Sequence, residues 1–223
     1  MNKTANIIES KYQTKEWRQS QNWYKKGKQN ECENYQVKFL FRFLQIITNN
    51  KNIILEKTND RIKNNIIVNK KNPCNYLDEF EYSENFDRKL ILDNKTYYFN
   101  FKFVCDQGGA QKRTLHLTYN FIDSQLNILK YTKNKNIYFI NILDGDVSSK
   151  KINKLKFIIK KNKCEKYQDN IYIGDLHDFY YLYGINYLIS EIKIDYNKNN
   201  NFNHIDIIPV NLADPFCIKD NQQ

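Results

Sequence analysis

Three polar residues interrupt the strongest β pattern of the chain at positions where a sheet would bring them together. Asp87 stands just ahead of the apolar run Leu90-Ile91-Leu92, and Asn100 and Lys102 lie in a run whose alternate residues Tyr97, Phe99, Phe101 and Phe103 are aromatic. Successive side chains of a strand point to opposite faces, so Asn100 and Lys102 share the face that the aromatic residues leave. A lysine there is costly unless an acid or anion meets its ammonium. Metal-assisted hydrolysis of a phosphodiester needs that combination, with carboxylate oxygens at strand ends to hold a divalent cation and a positive group beside the attacking water. The plain reading is the exposed face of an edge hairpin. Asp87, the neighbouring Glu84 and the glycine pair that follows the strand favour the chemical one.

That pair, Gly108-Gly109, lets the backbone approach a ligand and opens a helix whose amino-terminal N–H groups suit a phosphate. Lys112 and Arg113 add positive charge there, with Gln111 beside them. Taken alone, Gly-Gly before a helix is only a tight turn.

The elements that must position these residues follow from periodicity. Apolar residues at threes and fours from Lys15 to Ile47 predict one long helix, or two shorter ones broken near Gly27. Weak strand patterns cover Asn52 to Glu56 and Asn65 to Val68. Arg88 to Val104 reads as a hairpin turning at Asp93-Asn94-Lys95. From Ala110 the chain turns helical through Leu115, Tyr119, Ile122 and Leu126. Ile137 to Leu143 is a continuous apolar run, expected of a strand buried on both faces and parallel to a neighbour. A helical segment through Phe157 to Lys160, a short strand at Ile171 to Ile173 and a buried helix from Asp178 to Ile189 follow. Beyond about Asp195 the chain is a polar tail, with an edge strand at Ile205 to Val210. The expected architecture is a single α/β domain over residues 1–223, its core at about 30–190, with one mixed sheet flanked by helices.

Bulk composition narrows the partners. The chain has 35 Lys+Arg against 25 Asp+Glu, a net charge of +10, and 15% aromatic residues. Such a domain attracts polyanions, nucleic acid first among them. An excess of Asn, Lys, Ile and Tyr can also arise from AT-rich coding without any binding role. The five cysteines are scattered without a C-x-x-C pair, which argues against a disulfide framework or a structural zinc site. The amino terminus lacks an apolar leader, and no apolar run approaches the length of a membrane span. A soluble, intracellular protein is expected.

The arrangement Ser83-Glu84-Asn85-Phe86-Asp87, Asn100-Phe101-Lys102 and Gly108-Gly109-Ala110-Gln111-Lys112-Arg113-Thr114-Leu115, with Tyr119 and Phe121, resembles type II restriction endonucleases built on the PD-(D/E)xK nuclease core. The resemblance covers about residues 80–145 and implies an α-β-β-β-α-β core. It also implies a double-stranded DNA substrate cut at a short specific site, Mg2+, an activated water, a homodimer and a cognate DNA methyltransferase in a restriction-modification pair. By position, Asp87 would hold metal and Lys102 would orient or activate water. Gln111 falls where related nucleases carry a glutamine. Asn100 stands where the family has Asp or Glu. Either Asn100 ligates through its amide oxygen, or Glu84, Asp106 or Glu31 supplies the second carboxylate. Gly108, Gly109, Lys112 and Arg113 would meet the DNA backbone.

Two other readings compete. A basic, Tyr-rich protein could bind nucleic acid without cutting it, by stacking and phosphate contacts. Gly174-Asp175-Leu176-His177-Asp178, with Asp144-Gly145-Asp146, resembles fragments of a calcineurin-like metallophosphatase. That family needs more histidines than His116, His177 and His204 supply, and helix capping accounts for Asp144, Asp146 and Asp175 more simply.

Overall fold

The computed structural model describes residues 14–27, 31–48, 52–69, 82–180 and 182–183. The edge strand expected at Ile205 to Val210, the polar tail and most of the Asp178 to Ile189 helix lie outside them. Helices α1 (Thr14–Ser20), α2 (Asn22–Lys25) and α3 (Glu31–Ile47) precede two short strands, β1 (Asp60–Lys63) and β2 (Ile66–Asn69). Then come β3 (Arg88–Leu92), β4 (Lys95–Phe103), α4 (Gly109–Thr132), β5 (Ile137–Asp144), α5 (Asp146–Ser149), α6 (Ile152–Lys161), a 3-10 turn at Glu165–Asn170 and β6 (Ile171–Gly174).

The fold is mixed α/β. A four-stranded sheet runs β3-β4-β5-β6, with β3 antiparallel to β4 and the remaining neighbours parallel, while β1 and β2 form a separate antiparallel pair. The hairpin between β3 and β4 closes on Asp93 and Asn94, both at positive φ, as the right-handed twist of the flanking strands demands of a two-residue turn. Asn64 and Asn65 repeat that device between β1 and β2. The β1 partner has no apolar alternation of its own, and Asn52 to Glu56 makes only an isolated bridge, Glu56 to Lys89.

Helices cover both faces of the larger sheet. On one, Phe86, Tyr98 and Phe139 meet Phe121, Ile122, Leu126 and Leu129 of α4 and Leu155 and Ile158 of α6. On the other, Phe99, Phe101, Ile140 and Ile142 meet Phe39, Leu40, Phe43 and Leu44 of α3, together with Leu176 and Phe179. Full burial of each such side chain is worth about 1.5–3 kcal/mol, so the two layers fix the sheet against α3 and α4 alike. β5, buried from Phe139 to Asp144, is central and parallel to both its neighbours, as its run of apolar residues, broken only by Asn141, predicts. Gly145, at φ 108°, makes the exit from β5: a Cβ there would lie 2.5 Å from the Val104 carbonyl oxygen. Only glycine fits.

Candidate active site

Lys102 sits one residue from the end of β4, on the face opposite Phe101 and Phe103. Its side chain is 14% exposed, and the ammonium meets the Glu84 carboxylate at 3.0 Å. Asp87, just ahead of β3, is held twice to the facing strand: its N–H donates to Phe99 O at 2.9 Å, and the Phe101 N–H donates to its carboxylate at 2.7 Å. The antiparallel register that sets Arg88 against Phe99 therefore brings Asp87 to the Lys102 end of the hairpin.

A third acid arrives from α3. Glu33 feels the charges of Asp87, Lys102 and Glu84, although the three carboxylates do not all come within 4.8 Å of one another. Burial, and then the Asp87 charge, push the Glu33 carboxyl above the usual range. Burial likewise raises Asp87, although Lys102 and the Phe101 N–H pull the other way. Burial alone would lower Lys102, but Glu84 and Asp87 more than offset it and leave the ammonium firmly protonated. Glu33, Glu84 and Asp87 together carry more acid than one lysine neutralises.

Glu33 was not among the expected second acids. Its signal was present: Glu33 heads the inward stripe Gln36, Leu40 and Phe43 of α3, all buried. Glu31, two residues back, lies about 200° around the helix, and among the described residues its carboxylate accepts from the exposed Asn34 side chain. Asp106 is occupied elsewhere, paired with Lys15 of α1 at 3.0 Å.

Asn100 shares the Lys102 face but is 1% exposed, deep in an amide cluster. Its Nδ2 donates to Asn141 Oδ1, which also accepts from Gln125 Nε2, and Asn141 donates back to Gln125 Oε1 at 2.8 Å. Asn100 Oδ1 has no hydrogen-bond partner among the described residues. Gln111 lies in the first turn of α4, its Oε1 closed off from solvent and likewise without a partner there. Lys112 and Arg113 are exposed on the same turn. Gly108 caps α4 in extended geometry, and neither it nor Gly109 has a positive φ or a neighbour that a Cβ would meet. The chain's own conformation does not require glycine at either position, in contrast to the tight bend expected of this loop.

Asp175, His177 and Asp178 offer ligand atoms within 4.8 Å of one another. A helical turn over 176–180 accounts for the acids: Asp175 Oδ1 caps it by accepting the Asp178 N–H at 2.7 Å. Asp144 accepts the Leu176 N–H at 3.0 Å from the end of β5. Among the described residues, no helix is long and apolar enough to cross a membrane.

No protein-family model, curated protein or solved structure matches the chain.

Proposed function

We propose that this protein is a metal-dependent endonuclease acting on double-stranded DNA, with Glu33, Glu84, Asp87 and Lys102 as its reaction centre. The pairing of the largely buried Lys102 ammonium with Glu84 at the end of a hairpin that also holds Asp87, in the field of Glu33 from α3, carries this reading. Those residues fit a hard divalent cation: the donors are all carboxylate oxygens, and two of them are raised in pKa by burial among like charges, which an ion of charge two would relieve. Asp87 and Glu33 would hold Mg2+, whose chemistry is to acidify water and neutralise charge on the phosphate. Asp87 keeps one carboxylate oxygen fixed by the Phe101 N–H, which presents the other. Lys102, kept protonated by its acids, orients the attacking water and balances charge building on the phosphate. Gln111, Lys112 and Arg113 open α4 beside this end of β4 and suit a backbone phosphate.

The run β3, β4, α4, β5 agrees with part of the PD-(D/E)xK core, but between α3 and α4 the four-stranded sheet has two strands where that core has three, β1 and β2 pairing apart; Glu33 would stand in for the missing acid at Asn100. Site-specific cutting by a homodimer, alongside a methyltransferase, belongs to the same proposal. The test is incubation of the purified chain with plasmid DNA and Mg2+, with and without chelator. Discrete fragments that vanish with chelator, and with Asp87→Ala or Lys102→Ala while DNA binding persists, are expected. Intact plasmid across a wide range of conditions rules the reading out.

A further inference from the structure

Seven lysines, Lys150, Lys151, Lys154, Lys156, Lys160, Lys161 and Lys163, crowd the α5–α6 segment, and no acid falls between Asp146 and Glu165. All seven are exposed. Lys161 is tied to the Tyr119 hydroxyl at 2.8 Å. Among the described residues, Lys150, Lys151, Lys154, Lys156 and Lys160 have no ion-pair partner. Lys156 and Lys160 are like charges one turn of α6 apart, an arrangement that costs a helix stability unless something anionic relieves it.

The helix is amphipathic, but its apolar stripe is spent. Ile152, Leu155 and Ile158 are buried, the latter two against α4 and the sheet, so they cannot enter a lipid surface. What faces outward is a ridge of lysines flanking Phe157, itself 63% exposed. Topology starts the α5–α6 segment, though not the far end of α6, beside the acidic cluster. β5 runs parallel to β4 with Lys102 opposite Leu143, so the two strands end together. α5 starts from that end, its Val147 and Ser148 N–H groups both donating to Val104 O.

We propose that the outer face of α5 and α6, centred on Lys154, Lys156 and Lys160, docks the phosphate backbone of a nucleic-acid duplex. The seating of that duplex against the carboxylate cluster rests on the nuclease reading above. Charge complementarity selects the occupant: a row of unpaired ammonium groups on a water-facing helix suits a regular polyanion, and its buried apolar stripe leaves no wedge for a membrane.

The test compares the full chain with its Lys154→Gln/Lys156→Gln/Lys160→Gln variant, binding a labelled mixed-sequence duplex in chelator across a salt series. A control variant, Lys25→Gln/Lys57→Gln/Lys135→Gln, removes equal charge from exposed positions elsewhere. The α6 variant is expected to keep its melting temperature, to bind at least tenfold more weakly at low salt, and to lose about 2–3 from the log–log salt slope, at roughly 0.9 per released phosphate contact. Equal losses in both variants, an unchanged slope, or a loss confined to binding of anionic phospholipid vesicles overturns the proposal. If the α6 variant is unfolded, Lys154→Arg/Lys156→Arg/Lys160→Arg must retain wild-type binding, or the proposal fails. Cleavage is scored separately: cutting with an intact slope refutes the lysine ridge alone, and ridge-dependent binding without cutting refutes the nuclease reading alone.

Discussion

The Gln36 side-chain amide donates to the Asp144 carboxylate at 2.6 Å and to the Lys102 carbonyl at 3.2 Å. Both side chains are buried, and the Lys102 carbonyl fixes which way the amide points. One glutamine thus ties α3 to the ends of β4 and β5, three residues after Glu33. Glu33 reaches the acidic cluster because Gln36 holds the helix in that register.

Asp144 makes stability depend on pH. Burial pushes its carboxyl up to about 7, against 3.8 for an ordinary aspartate, despite the Gln36 and Leu176 donors. The folded chain therefore holds this proton more tightly than the unfolded one. The stabilisation it gives is complete below about pH 4 and is lost as pH rises through about 7. Urea denaturation from pH 5 to 8 should show stability falling by on the order of a few kcal/mol, and Asp144→Asn should flatten that fall and be the more stable form at pH 8. A variant that is less stable than the wild type at pH 8 as well as at pH 5 contradicts this.

Divalent cations should stabilise the folded chain independently of any substrate. With Mg2+ at 100 times its dissociation constant, the gain is about 2.7 kcal/mol, read as a rise in melting temperature over a chelator control. Because Glu33 and Asp87 carry raised pKa values, protons compete with the ion, and the gain should be larger at pH 8 than at pH 5. Glu33→Gln and Asp87→Asn should each abolish most of it. An equal rise in those variants places the ion elsewhere.

Much of this scaffold was legible from spacing alone. The hairpin, the buried parallel strand and the long helices each carry a period, and Asp87 with Lys102 stood out as charges in an aromatic run. What could not be read is what depends on rotation about an axis. Glu31 and Glu33 look equivalent in sequence, and only the docking of α3, set by Phe39, Leu40 and Phe43 against Phe99 and Phe101, turns Glu33 inward. Of the β1 and β2 pair, β2 is legible as the weak strand pattern at Asn65 to Val68, while β1, Asp-Arg-Ile-Lys, escapes notice because it has a single apolar side chain. Asn100 resembled a ligand because its neighbours in sequence are chemical, yet its neighbours in space are Asn141 and Gln125.

That amide cluster should be strongly interdependent. Asn141→Leu strands the Asn100 and Gln125 amides in an apolar layer, at a cost of about 2–4 kcal/mol. The double change Asn141→Leu/Gln125→Leu should cost less than the sum of the two single ones. Additive losses in thermal or urea denaturation mean the amides act separately.

Gly145→Ala should be among the most damaging single-methyl additions. It combines a left-handed backbone with a contact of 2.5 Å on the Val104 carbonyl, and a loss of about 2–4 kcal/mol is expected. Retention of wild-type stability shows that the exit from β5 can relax.

The separations along the chain imply an order of assembly. Asp87 and Phe101 are 14 positions apart and Lys102 and Glu84 are 18 apart, so closing the hairpin is enough to join them. Gln36 and Lys102 are 66 apart, and bringing α3 home closes a loop several times longer, which is entropically slower. Hairpin closure, the shorter loop, is therefore expected to gather two acids at Lys102 before the third joins them. Completion of the centre coincides with completion of folding, and a partly folded chain carries its charges without their concert.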